Sequence, residues 1–165
     1  MNSIFDSLVS LLGRSENDPE VIEMFTQLGV KFPLKRPKRS EDGYLIELND
    51  PKLHLGVKLQ EALPMLENRD KLNEKELVFS GISHIQRTTA TEPIIFPFGV
   101  SFGISLDRAK EILGDYFDER KFLRKFFWLK DNIVILLSFD EWGLVNEIAY
   151  RLIFDFDLKK LDIKI

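Results

Sequence analysis

Two histidines, His54 and His84, are the side chains of this 165-residue chain that titrate near neutrality without help, so acid–base or metal-ligand chemistry would have to start with them. His54 lies between Leu53 and Leu55 in an alternating segment, on the side opposite the apolar positions, which is the pattern of a solvated strand residue. His84 follows Ser83, but a hydroxyl–imidazole pair becomes a nucleophile and base only with a third orienting group and a sharp turn. The surrounding Gly81-Ile82-Ser83-His84-Ile85 reads as strand. Paired carboxylates occur at Glu41-Asp42, Asp118-Glu119, Asp140-Glu141 and Asp155 with Asp157, and such pairs serve glycosidic acid–base catalysis or hold a divalent cation. Their abundance weakens each one. Asp155 and Asp157 alternate with Phe154 and Phe156, as on a half-buried strand with a wet face. The nine glycines form no phosphate-cradling loop, dinucleotide fingerprint or EF-hand, and the absence of cysteine removes disulfides, thiolate metal sites and thiol nucleophiles. These residues predict a protein that is not an enzyme and has no metal or other cofactor.

The densest basic run, Lys35-Arg36-Pro37-Lys38-Arg39, is the candidate phosphate contact. Glu41 and Asp42 follow at once, and no aromatic residues interleave to stack on bases, so a solvated loop is expected. Lys and Arg total 23 against 27 Asp and Glu, a net charge of −4, which disfavours nucleic acid as a partner. The aromatic cluster Phe122, Phe126, Phe127 and Trp128 reads mostly as core.

Positioning these side chains requires elements, and with 44% hydrophobic and 30% charged residues the chain is expected to fold as one domain over residues 1–165. Ile4, Phe5, Leu8, Leu11 and Leu12 form the stripe of a short helix within about residues 3–13, stopped by Gly13. Asp18-Pro19 opens a second helix with Val21, Ile22, Phe25 and Leu28 on one face and Gly29 at its end. The 31–42 segment reads as loop. Tyr44 to Leu48 and Leu53 to Leu59 alternate around Asn49-Asp50-Pro51 as a hairpin, Gln60 to Lys75 is a charged excursion, and Leu77 to Ile85 is a third strand. After a connector from Gln86 to Pro93, Ile94 to Phe102 reads as a strand broken by Pro97 and Gly99. Ser105 then caps a helix carrying Leu106, Ala109, Ile112 and Leu113, closed by Gly114. Strands follow at Phe126 to Trp128, Ile133 to Phe139 and Val145 to Ile153.

The order repeats: capped helix, Leu-Gly, strand, turn, strand, strand. The expected fold is therefore α+β, two pseudo-repeated α-β-β-β units at about 18–85 and 94–153 packed as one domain with a mostly antiparallel sheet. No apolar run reaches the roughly 20 residues of a membrane helix. The acidic residue in Met1-Asn2-Ser3-Ile4-Phe5-Asp6 does not suit a secretory leader, so no membrane association and a cytoplasmic location are expected.

Phe96-Pro97-Phe98-Gly99-Val100-Ser101-Phe102, followed by Ser105-Leu106-Asp107-Arg108-Ala109-Lys110-Glu111-Ile112-Leu113-Gly114, resembles small bacterial immunity proteins of polymorphic toxin and contact-dependent growth inhibition systems, in which a Pro-x-Gly-Leu-x-Phe strand precedes a Ser-capped helix ending in Leu-Gly. The likeness extends to Gly56-Val57-Lys58-Leu59, Leu77 to Ile85, Trp128, Ile133 to Phe139 and the Gly143 turn. It departs at Asp115-Tyr116, where family members often carry proline. The resemblance implies a stoichiometric inhibitor that binds a cognate toxin domain, and an acidic surface would suit the basic groove of a nuclease toxin. The residues chosen for that contact are Asp140, Glu141 and Trp142 at the final hairpin turn, with Asp115, Asp118 and Glu119 as a neighbouring acidic edge. A non-catalytic scaffold or adaptor in another bacterial assembly is the alternative. The oligomeric state is left open.

Overall fold

A computed structural model describes residues 4–34, 44–49, 53–61, 76–86 and 94–162. Helix α1 (Ile4–Ser10) and helix α2 (Pro19–Gln27) precede strands β1 (Tyr44–Asn49), β2 (Leu53–Glu61) and β3 (Leu77–Gln86). Helix α3 (Leu106–Leu113) is followed by β4 (Asp118–Arg120), β5 (Lys125–Lys130), β6 (Ile133–Phe139), β7 (Val145–Arg151) and helix α4 (Asp155–Asp162). The strands form one seven-stranded sheet in the order β1-β2-β3-β7-β6-β5-β4, every pairing antiparallel. The α+β class holds. Among the described residues no helix is long and apolar enough to cross a membrane.

Local chemistry fixes the ends of the elements. The Asp18 carboxylate accepts the Glu20 amide at 2.9 Å with Pro19 at the first helical position, and the Ser105 hydroxyl accepts the Arg108 amide at 3.2 Å. Asp131 and Asn132 both adopt positive φ, at 49° and 63°, the backbone a two-residue hairpin needs to match the twist of β5 and β6.

Each half of the chain contains a helix and a three-stranded meander, α2 with β1-β2-β3 and α3 with β5-β6-β7, and the meanders meet where β3 pairs with β7. In both, the register shifts between the second and third strands: Lys58 and Leu59 face Gly81 and Phe79, while Ser138 and Phe139 face Glu147 and Val145. The bulged residues are Ser80 and Asn146, on the third strand each time.

One face of the sheet carries the main core. Leu8 of α1 and Leu11 in the turn after it, Val21 and Phe25 of α2 and Ala109 and Leu113 of α3 pack on Leu59, Phe79, Ile82, Trp128, Ile135, Leu137, Ile148 and Tyr150. A smaller core on the opposite face joins Phe117, Phe127 and Val134 to Leu129, Leu136, Ile153 and Leu161, the last from α4. The Arg151 guanidinium clamps α4 down by pairing with Asp157 at 2.5 and 2.8 Å, and the same carboxylate accepts the Phe154 amide at 2.7 Å.

Three expectations are corrected. Asp155 and Asp157 belong to a helix, because Asp157 turns inward to Arg151 and to the backbone at the helix start, and four alternating residues are too few to impose a strand. Ile94 to Phe102 is not a strand: Phe96-Pro97-Phe98-Gly99 closes a tight turn, with the Gly99 amide donating to the Phe96 carbonyl at 3.0 Å and Phe98 at φ 67°. Phe122 is not core; it stands fully exposed on a 3₁₀ turn at Lys121–Leu123. The 31–42 loop from residue 35 onward, the Gln60–Lys75 excursion beyond residue 61 and the 86–93 connector beyond residue 86 lie outside the described residues.

Candidate functional site

The two chemistries first considered separate cleanly. Ser83 and His84 are consecutive strand residues and so point to opposite faces of the sheet, which prevents them from acting as nucleophile and base. His84 is completely buried among Phe5, Phe96 and Tyr150, with ring centroids at 4.9, 4.8 and 6.2 Å, and neither ring nitrogen has a hydrogen-bond partner. Burial pushes its pKa down to about 4, so the imidazole is neutral at pH 7. Tyr150 beside it donates to the Pro97 carbonyl at 2.7 Å, and burial, helped by the Asp6 charge, holds its proton on. The His54 side chain and the whole Lys35–Arg39 run lie outside the described residues. Among the described residues no group of three or more His, Asp or Glu is placed to hold a metal ion.

Hollows among the described residues include a groove and a trough. A polar groove of about 300 Å³ runs between α1 and α2, past Ser7, Ser10, Glu20 and Gln27. A trough of about 200 Å³ crosses the second face of the sheet over Gly56, Gly81, Ser83 and Ala149, walled by Phe154. Neither gathers a set of groups that could move a proton or stabilise a developing charge.

The end of the sheet where β5 begins and β6 ends is different, because it presents large apolar side chains to solvent. The Lys121–Leu123 turn closes with Arg124 in the left-handed conformation at φ 53°. The Arg124 carbonyl accepts the Phe139 amide at 2.9 Å, which ties this turn to the β6 end. From there Asp140 to Leu144 turns the chain into β7. The Asp140 carboxylate accepts the amides of Trp142 and Leu144 at 2.9 and 3.0 Å, and Leu144 bridges to Ser105 at the start of α3. On these pinned turns Phe122 is 104% exposed, Trp142 77%, Leu123 59% and Leu144 40%. Backbone hydrogen bonds therefore hold four apolar side chains outward, where water gives them nothing.

Of the six residues chosen from the sequence, Trp142 and Glu141 are exposed at this end. Asp140 is there too, but its carboxylate is committed to the turn. The neighbouring acidic edge is divided: Asp115 is exposed past the far end of α3, after the Gly114 carbonyl that accepts the Trp128 indole N–H at 2.8 Å. Asp118 faces Lys160 of α4 at 3.5 Å, and Glu119 lies 3.9 Å from Lys121. Sheet register places Asp118 opposite Phe127 and Glu119 opposite Phe126, two and one residues along β5 from Lys125, which pairs with Ser138 of the strand that Asp140 follows; β5 therefore stands between this short acidic strand and β6, and both carboxylates are turned to lysines.

Sequence reasoning missed the basic turn. Arg120-Lys121-Phe122-Leu123-Arg124-Lys125 carries four cations in six residues around two apolar ones, nearly as dense as the 35–39 run, and Arg120, Lys121 and Arg124 are exposed. The available signal was that Phe122 lies within this charged run, apart from the contiguous aromatic strand Phe126 to Trp128. No protein-family model, no curated protein and no solved structure matches the chain.

Proposed function

We propose that this chain is an immunity protein: a binding protein that neutralises a cognate bacterial toxin domain by covering it, one molecule to one. The observation that carries the reading is the cluster of Phe122, Leu123, Trp142 and Leu144 held exposed on hydrogen-bonded turns at one end of the sheet. Aromatic anchors on a rigid frame are what dominate binding energy at protein interfaces, because little side-chain entropy is lost when they dock. The sequence resemblance adds the class of partner. The toxin contact is accordingly centred on Trp142 and Glu141, with Phe122 and Leu123 joining it and Asp140 serving the turn. Asp115, Asp118 and Glu119 are outside its centre. A toxin that acts inside the cell would be met in the cytoplasm, the compartment assigned here. The shared helix-and-meander order and the matching third-strand bulges support an origin by duplication of one α-β-β-β unit.

The test is co-expression with a toxin domain encoded beside this gene, scored by growth, followed by affinity measurement on the purified pair. Rescue of growth is expected. Trp142→Ala and Phe122→Ala should each weaken affinity by about 2 kcal/mol, roughly thirtyfold. Absence of rescue refutes the immunity reading, and folded alanine variants that bind undiminished refute the assigned surface.

A further inference from the structure

The charges around the exposed cluster are arranged in two turns of opposite sign. The turn before β5 carries Arg120, Lys121, Arg124 and Lys125; the turn before β7 carries Asp140 and Glu141. Asp140 is committed to backbone amides, Glu119 faces Lys121, the Arg120 guanidinium lies over the Phe127 ring and Lys125 is half-buried in β5, which leaves Arg124 on the first turn and Glu141 on the second as the exposed ions beside the cluster with no ion pair or ring contact among the described residues. A surface that is apolar in the middle, cationic on one side and anionic on the other is complementary to itself after a half-turn. In a twofold contact the basic turn of each copy meets the acidic turn of the other, while the apolar centres stack.

We infer that this end of the sheet closes on a second copy of the same chain, giving a twofold homodimer in which Phe122 and Trp142 form the centre and Arg124 of each copy faces Glu141 of the other. The area is adequate. Two exposed aromatics supply about 150–250 Å² each, a large part of the roughly 800 Å² per partner that a standard interface buries. An anionic membrane suits the surface less well, since Glu141 beside Trp142 would meet lipid head groups of its own sign. The dimer goes beyond the immunity reading and is tested without a toxin. If both hold, self-association and toxin capture compete for one face.

The experiment is sedimentation equilibrium on the full chain at micromolar concentration, with Phe122→Asp, Arg124→Glu, Glu141→Lys and the Arg124→Glu/Glu141→Lys double exchange. Circular dichroism checks that each variant folds, which substitutions at exposed positions should allow. A reversible dimer is expected, lost in Phe122→Asp. Each single reversal should raise its dissociation constant at least about tenfold, and the double exchange should return it to within about threefold of the original, because the pair is restored with its signs swapped. A monomer at every concentration overturns the inference, as does a dimer indifferent to Phe122→Asp. Failure of the double exchange to recover overturns the twofold pairing. A monomer that co-sediments with phosphatidylserine vesicles and not with phosphatidylcholine ones would also overturn the dimer, and would assign the face to lipid.

Discussion

Lowering the pH should destabilise this protein through one residue, His84. Its ring is enclosed by Phe5, Phe96 and Tyr150 with both nitrogens unpartnered, so a proton added there would place an unpaired charge among aromatic rings. The folded pKa is about 4 against 6.5 for the free side chain. The unfolded chain therefore takes the proton first: stability is intact above pH 6.5 and falls as the pH drops from 6.5 toward 4. Linkage over that interval gives a loss of about 2 kcal/mol at pH 5 and about 3 kcal/mol at pH 4 relative to pH 8. The assay is urea denaturation from pH 8 to pH 4 on the wild type and on His84→Leu, which keeps the bulk of the side chain and removes its titration. Carboxylates contribute alike to both proteins, so the difference between the two curves isolates His84. At pH 8 the leucine variant should be at least as stable, because two unsatisfied nitrogens are gone. Its advantage should grow by about 3 kcal/mol on reaching pH 4. Parallel curves across that range, or a His84 proton resonance that titrates above pH 6 in the folded state, would refute the reasoning.

Leu113→Ala on α3, at a side chain 2% exposed, should cost about 2–5 kcal/mol through lost burial and the cavity left behind, and Ser105→Ala about 1 kcal/mol through the lost cap, both read as shifts in urea midpoint. Asp157→Ala should cost about 3–5 kcal/mol, since it removes the carboxylate that pairs with the largely buried Arg151 guanidinium and frees the start of α4; thermal melts and amide exchange of residues 155–162 check both effects. Tyr150→Phe should cost about 1–3 kcal/mol by leaving the Pro97 carbonyl without its buried donor, measured by the same denaturation.

Much of the fold was legible locally because the signals were local. Asp18-Pro19, Ser105, Gly114 and Asp131-Asn132 each set a cap or turn through their own backbone and side-chain geometry, and the near-continuous apolar run from Ile133 to Phe139, bounded by turn residues, marks a strand covered on both faces. What failed locally depended on distant partners. The Phe154-to-Asp157 alternation looked like a strand until Arg151 drew Asp157 inward and opened a helix instead. Ile94 to Phe102 has strand composition, yet Pro97 and Gly99 turn it so that the Pro97 carbonyl can accept from Tyr150, more than fifty residues on. At the candidate site the sequence by itself supplied the residue types: an acidic hairpin turn, a tryptophan, and a basic run around Phe122. Which of them face solvent together was decided by tertiary structure alone. Sheet register brings the 121–124 and 140–144 turns to one end through the Phe139–Arg124 hydrogen bond, while Asp115 lies past the far end of α3 and the Asp118 carboxylate is turned to Lys160 of α4. A side chain's exposure depends on what the rest of the chain packs against it, so identical aromatic chemistry gave a buried Trp128 and an exposed Trp142.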